Sequence, residues 1–485
     1  MALDIITAFW HTDAMDELPP PPGIPPEDWD TTPVSVRLLL VTLLSEIRDL
    51  KAKLGLTSKN SSKPPSSDPP SSPPRPTKTP RGRRAGAQSG HAGTTREPPT
   101  PETITETVDI YPSHCPDCHT PLDAEGPDVR PAVTTYVWEL PSIVPEITED
   151  VHHTVSCPQC QAHIWQPDRP DGAPPGSFGA RLTALVALMH GPYHQSHCLI
   201  KTFVSEVLGI SLSTGSVVSS CERVSSALEK VDAAIHGVVQ AQDIANVDET
   251  GWRERRKRCW LWAITTAVAT TFRIQAKRSR AALQALLGSS QAIIGSDRYN
   301  AYGYLADQRR QLCWSHLDRT VQALADYGHP DSAWATELLV AIDQMWACWH
   351  QERAGALSFA GLAQALQPIQ TAIHDRLIVG QTMPWHKIRT LSNDLLDHWE
   401  ALWTFTRVEG VAPTNNAAER VLRPAVIARK LSYGTHSAAG SRFIERILSV
   451  VTTCRQQGRT VFAFLSEAVQ AVWHGQPAPV LVAAP

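Results

Sequence analysis

Apolar residues recur at steps of four and three from Val36 through Leu40, Leu43, Ile47 and Leu50 to Leu54, which predicts a helix over 33–54 with an a/d seam. The seam either packs on the chain's own body or pairs two protomers, because about three heptads are marginal alone. The pattern lapses over 57–108, where Ser, Pro and basic residues replace apolar ones and a disordered linker is expected. Runs at 132–140 and 151–156 read as strands within a unit spanning 109–165. A helical domain follows at 175–240, with helices at 181–189 and 198–208 and a third from Thr214, a cap, to about 238. The break G-I-S-L-S-T before that third helix suits a DNA-reading helix pair or plain helical packing.

From 241 the period changes. Strands are expected at 244–248, 259–269 and 270–275, a helix at 280–287, and a strand at 292–296. A short helix at 299–305, a strand at 310–314 and a helix at 316–327 follow. Three strands, helix, strand, helix, strand, helix is the order of a ribonuclease-H-like α/β core, placed at 241–456. Within it, 330–403 keeps helical spacing through Trp334, Leu338, Ile342, Met345 and Trp349, and reads as a helical insertion. A flexible turn is expected at 434–440, then helices at 441–456 and 461–473, the latter within a tail at 457–485.

The acidic residues give this order a chemistry. Asp248 is expected at the end of the first strand and Asp297 at the end of the fourth. Glu419 lies in T-N-N-A-A-E-R, on a helix that Asn415 or Asn416 can cap. Two magnesium (or manganese) ions need one bridging and two flanking carboxylates, and hard oxygen ligands. Asp248 can bridge, with Asp297 on one ion and Glu419 on the other. Glu249 is the rival to Asp248; on a strand the two face opposite sides, so one of them points at the metals. Arg420, Arg423, Arg429 and Lys430 follow Glu419 closely, more cations than one carboxylate needs and suited to a phosphate backbone. Arg255, Arg256, Lys257 and Arg258 form a basic hairpin turn, a second candidate DNA contact.

Over its 485 residues the chain has a net charge of -4, so nucleic-acid binding must rest on local patches such as these. The linker is one: Arg81, Arg83 and Arg84 stand in it with few acids, either as a solvated spacer or as an arm on DNA phosphates. No secretory leader is read at the N-terminus, and no apolar run reaches the ~18 residues of a membrane span. A cytoplasmic protein with reduced cysteines is therefore expected. Cys115-Pro-Asp-Cys118 and Cys157-Pro-Gln-Cys160 are spaced as two knuckles of a zinc ribbon holding one structural zinc, with neighbouring histidines able to replace a thiolate.

The motifs in order carry a resemblance. N-S-S-K-P-P-S at 60–66, R-G-R-R-A-G-A-Q-S-G-H at 81–91 and the double CxxC come first. D-E-T-G-W at 248–252, S-D-R-Y-N-A-Y at 296–302, Q-L-C-W-S-H-L at 311–317 and N-N-A-A-E-R-V-L-R-P at 415–424 follow. Together they resemble the IS66 family of bacterial insertion-sequence transposases across nearly the whole chain. The resemblance implies that Asp248, Asp297 and Glu419 form a DDE triad that cleaves element ends and joins them to target DNA. It also implies that His316 and Arg420 lie near the substrate, and that accessory proteins of the same element take part. The sequence departs from the family pattern at Ala428 and at L-S-Y-G-T from 431 to 435. The rival readings are a nuclease of the same fold that only cuts, and a catalytically inactive zinc-ribbon DNA-binding protein.

Overall fold

The computed structural model describes residues 24–54, 97–122, 133–165 and 172–483, together with 21, 56–57, 60–61 and 169. Two units are distinguished: 71–147 with 207–209, and the remainder of the chain. Arg81, Arg83 and Arg84 lie outside the described residues.

In the smaller unit the described residues form a 3-10 turn at Pro101–Thr103 and a knuckle closed by a bridge between His114 and Pro121. The strand expected at 132–140 is not formed by its described residues. Val133 is 91% exposed and Val137 95%, so β-prone side chains here have no layer to pack on, and propensity without a half-buried face does not make a strand.

The larger unit is mixed α/β. Helices α1 (Pro26–Thr31) and α2 (Val34–Leu54) open it, and a small antiparallel hairpin of β1 (Thr154–Ser156) and β2 (His163–Trp165) follows. Four helices come next: α3 (Ala180–His190), α4 (His197–Leu208), α5 (Thr214–Ala227) and α6 (Glu229–Ala241). The expected single helix from Thr214 thus divides at Leu228, and its cap is Ser213, whose hydroxyl accepts from Ser216 N–H.

The sheet has five strands: β3 (Ile244–Glu254), β4 (Lys257–Thr265), β5 (Thr270–Gln275), β6 (Ile293–Ser296) and β7 (Arg310–Leu312). Their order is β5-β4-β3-β6-β7, antiparallel across the first three and parallel from β3 through β7. Strand β3 does not end at Asp248. It continues to Glu254 because a two-residue turn, Arg255–Arg256 at φ 48° and 66°, folds β4 straight back onto it. Both positive φ values match the twist of a tight hairpin. Helix α7 (Arg280–Leu287) joins β5 to β6, and α8 (Trp314–Ala325) follows β7. The short helix expected at 299–305 is a single 3-10 turn, Asn300–Tyr302.

Four helices, α9 (Ser332–Arg353), α10 (Phe359–Gln381), α11 (His386–Asp397) and α12 (Trp399–Leu402), build a second core around Leu338, Ile342, Leu366 and Ile373. Buried Gln311 ties it to the sheet, donating to Leu402 O at 3.0 Å and accepting from Phe405 N–H at 2.8 Å. Helices α13 (Asn416–Ser432), α14 (Ala438–Gln456) and α15 (Val461–Trp473) complete the chain.

Helix α14 covers the outer edge of the sheet. The N–H groups of Thr270, Phe272 and Ile274 donate to Thr453, Ser449 and Glu445, side chains four residues apart on one helix face. An edge strand's unpaired donors are thereby satisfied instead of left as a template for aggregation.

The 434–440 segment is not a flexible turn. Thr435 N–H donates to Arg253 O at 2.9 Å and Thr435 O accepts from Arg255 N–H at 3.0 Å, so the segment clamps the basic hairpin. Gly434 sits at φ 109°, and a Cβ there would lie 2.2 Å from Arg253 O. Only glycine tolerates both demands. Gly434→Ala is expected to cost about 2 kcal/mol of stability and to speed hydrogen exchange at the Arg255 and Thr435 amides. Unfolding and exchange experiments on the variant check both.

Candidate active site

Alternation along β3 separates its two acids. Ala245, Val247 and Glu249 are buried on one face, while Asp248 is half-buried on the other with Asn246 and Thr250. Glu249 is committed beneath the sheet: Arg278 pairs with it, and the Tyr302 hydroxyl donates to it at 2.8 Å. Burial pushes its carboxyl up, and the Arg278 charge opposes that. Glu249 is therefore a structural partner, and Asp248 is the acid free to meet a ligand.

Asp297 follows β6 and is fixed by its own turn. Its Oδ1 accepts from Tyr299 N–H at 2.9 Å, and its Oδ2 lies 3.7 Å from the Arg278 guanidinium. Glu419 stands in the first turn of α13, its Oε1 3.5 Å from His316 Nε2 and 3.7 Å from Arg319. These separations are too long for hydrogen bonds, and Glu419 Oε1 is buried with no hydrogen-bond partner.

Asn415 positions that helix start, though not by capping it. Fully buried, it donates from Nδ2 to Val247 O at 2.8 Å and accepts from Asn246 Nδ2 at 3.1 Å. Its backbone N–H donates to Cys313 Sγ at 3.1 Å. One side chain thus locks the start of the Glu419 helix to β3 one residue before Asp248.

The electrostatics follow. Asp248 is pushed up to about 8 by burial first, then by Glu249, with Asp297 and Glu419 adding to the rise. Burial lowers His316, helped by Arg319 and opposed by Glu419. Carboxylates from two other segments, Asp297 and Glu419, thus act on Asp248, and the buried Oε1 of Glu419 makes no hydrogen bond. Divalent cations fit this donor set: hard oxygen ligands, excess negative charge and an orphaned acceptor. Among the described residues, the group whose ligand atoms lie within 4.8 Å of one another is Cys313, His316 and Glu419, not the three acids. Burial raises the Cys313 thiol and its sulfur is already an acceptor for Asn415, so it serves the fold. A cleft of about 290 Å³ opens beside Asp297, walled by Arg278, Arg298, Tyr299, His316 and Arg319.

The other expected residues are distributed as follows. Arg255, Arg256, Lys257 and Arg258 are exposed at the hairpin tip, and the Arg258 guanidinium lies 4.9 Å from the Trp260 ring centroid. Arg420, Arg423 and Lys430 are exposed on α13. Arg429 is instead engaged with the sheet, donating to Gly251 O at 2.7 Å and to Thr250 Oγ1 at 3.1 Å. In the smaller unit, Cys115 and Cys118 sit on a knuckle in which Cys115 N–H donates to Thr120 O and His119 N–H to Cys115 O. In the larger unit, Cys157 and Cys160 sit on one with the same two bonds, to Ala162 O and from Gln161 N–H. Hydrogen bonds from Thr120 hold the Cys118 thiol below its ordinary range, and backbone N–H groups of Cys160 and Gln159 do so for Cys157. Arg278, Arg319 and Tyr302 were not singled out from the sequence; the only signal for Arg319 was its place three residues after His316.

The fold and site together define a mixed α/β protein with a carboxylate-lined centre. Residues 175–442, more than half of the chain, match the model of the family described as Transposase IS66 family, and the chain belongs to that family. Residues 34–97 match a family described as one of unknown function. Among curated proteins the chain is similar to two from Sinorhizobium fredii. It is 24% identical to Uncharacterized protein y4qI over 46% of this chain and 45% of that one. It is also 24% identical to Uncharacterized protein y4hP over 67% of this chain and 64% of that one. The matches thus span about half to under two thirds of those relatives' lengths. No helix among the described residues is long and apolar enough to cross a membrane.

A raised carboxyl contributes stability that is present below its unfolded value, here 3.8, and is lost as pH climbs through about 8. The metal-free protein is expected to lose stability across that window. Asp248→Asn is expected to flatten the profile and stabilise the metal-free form at the alkaline end by on the order of 2 kcal/mol. Thermal unfolding against pH in chelator checks this.

Proposed function

We propose that the chain is a DNA transposase with a ribonuclease-H-like core, in which Asp248, Asp297 and Glu419 hold two magnesium or manganese ions. The observation that carries this reading is the approach to Asp248 of carboxylates from two other segments, Asp297 and Glu419, the latter with a buried oxygen that makes no hydrogen bond. When bound, such ions supply Lewis-acid activation of the attacking oxygen and stabilisation of the leaving one at a phosphodiester. The chain's own residues do the rest. Arg278 and Arg319 hold Asp297 and Glu419 in place without closing on them. Asn415 fixes the Glu419 helix against the central strand. His316, whose imidazole burial disfavours in the charged form, stands beside Glu419 as a hydrogen-bonding group for substrate.

DNA, as insertion-sequence ends and as target, is the proposed substrate, acted on in the bacterial cytoplasm. The exposed hairpin Arg255–Arg258 and the exposed Arg420, Arg423 and Lys430 of α13 suit its phosphates, as does the basic linker. Helix α2 leaves Val36, Leu43, Ile47 and Leu50 exposed along its seam, which suits pairing with a second copy. Accessory proteins of the same element remain part of the proposal.

The test is incubation with terminal DNA and a supercoiled target in magnesium. The native chain is expected to yield joined products, and Glu419→Gln none while still binding DNA. Cut ends without joining would favour the nuclease reading, and binding without metal-dependent cleavage the inactive DNA-binding one. Zinc is proposed for the thiolate pairs of the knuckles. Cys157→Ser is expected to lose bound zinc by elemental analysis, and unchanged zinc would remove that assignment.

A further inference from the structure

Arg278 stands between two carboxylates and is bound by one of them. Its Nε donates to Glu249 Oε1, and its Nη2 pairs with the same oxygen while lying 3.7 Å from Asp297 Oδ2. The other oxygen of Glu249 accepts from the Tyr302 hydroxyl at 2.8 Å. The Glu249 side chain is 1% exposed and that of Asp297 26%. The pair that forms is thus with the carboxylate hidden from water, and the more exposed one is left open.

The guanidinium is held beside both acids. Arg278 belongs to the loop 276–279 between β5 and α7, and its carbonyl accepts from the Tyr299 hydroxyl at 2.8 Å. The guanidinium carbon lies 3.6 Å from the Tyr299 ring centroid and 5.2 Å from that of Trp260. The Tyr299 N–H in turn donates to Asp297 Oδ1 at 2.9 Å. Tyr299 therefore ties the Arg278 loop to the Asp297 turn. Within that frame a shift of about 1 Å takes Nη2 from restraining Asp297 to a charge-assisted hydrogen bond with it.

What prevents that shift is the charge on Glu249. A partly buried guanidinium that loses its partner takes the next carboxylate in reach, because an unpaired charge there is costly. For Arg278 the carboxylate already facing the same nitrogen is Asp297. Asp297 would then have one oxygen on Tyr299 N–H and the other on Arg278, with fewer lone pairs for a cation and a positive charge at contact distance. We propose that Glu249 is a positioning residue: by engaging Arg278 it keeps that side chain off Asp297 and leaves Asp297 open to a divalent ion. The inference deepens the two-metal reading of Asp248, Asp297 and Glu419 and rests on it. It gives a metal-affinity role to an acid that faces away from the metals.

Glu249→Gln tests this, since it keeps the side chain's size and its acceptor for Tyr302 and removes the charge. Manganese affinity of the full chain is measured by electron paramagnetic resonance, folding by circular dichroism, and the place of Arg278 by a crystal structure of the metal-free variant. Glu249→Gln is expected to bind manganese about tenfold more weakly with folding unchanged, and to bring Arg278 Nη2 within hydrogen-bond distance of Asp297 Oδ2. Adding Arg278→Met is expected to return most of the lost affinity. Native affinity in Glu249→Gln overturns the proposal. So does a fall in affinity with Arg278 unmoved, which is the effect of the lost charge alone. Should Glu249→Gln not fold, Glu249→Asp is read the same way, with a smaller loss of affinity expected and native affinity again overturning the proposal. Asp297→Asn reports on the underlying reading. Manganese affinity that survives it overturns the metal centre, whereas affinity lost there but native in Glu249→Gln overturns only the role of Glu249.

Discussion

Asn415 spans the gap between the central strand and the helix that bears Glu419. Its side chain replaces a strand–helix contact with two hydrogen bonds, to Val247 O and from Asn246, in full burial. A buried carbonyl left without its donor costs roughly 1–3 kcal/mol, so the joint is stiff as well as specific. Two of the acids at the centre are placed relative to it. Asp248 is the next residue along β3 from the bonded carbonyl, and Glu419 is one helical turn from Asn415 itself.

That joint works against electrostatic repulsion. Asp297, Glu419 and Glu249 are drawn to Asp248 although each raises it. The fold answers with guanidinium groups at arm's length. Arg278 is spent mainly on Glu249 and reaches Asp297 at 3.7 Å, and Arg319 reaches Glu419 at the same distance. Such separations restrain a carboxylate without occupying its lone pairs. On the reading proposed above, the centre would be pre-organised for a cation at some expense in metal-free stability, as functional sites commonly are.

Much of the frame was legible in the sequence because it rests on local period. The alternation around Val247 marked β3, and the apolar runs after Cys259 and before Asp297 marked its neighbours. The same alternation said that Asp248 and Glu249 face apart, but not which face was buried; that follows from Tyr302 and Arg278 arriving from elsewhere. R-E-R-R-K-R reads as a hairpin turn in the sequence, but two arginines at positive φ narrow that turn to two residues, so β3 runs on to Glu254 instead of ending at Asp248. Asn415, like Asn416, looks like a cap because cap chemistry is local, while the partners of its side chain are some 170 residues away in sequence. The 132–140 run failed for the opposite reason: strong local preference with nothing to pack against.

The insertion α9–α12 and the N-terminal helix have a common mechanical consequence. Gln311 and Trp314 bind Leu402 O, so β7 and the start of α8 are braced by the insertion. Tyr327 and Lys387, from the end of α8 and from α11, receive Asp49 of α2. Helix α8, which carries His316 and Arg319, is therefore held at its first turn by the insertion and just past its last by α2. A shift of α2 would be felt where Glu419 meets His316 and Arg319. On the reading proposed above, pairing of α2 with a second copy would then bear on the same helix that borders the cleft beside Asp297, linking assembly to the geometry of the acidic residues through one rigid element.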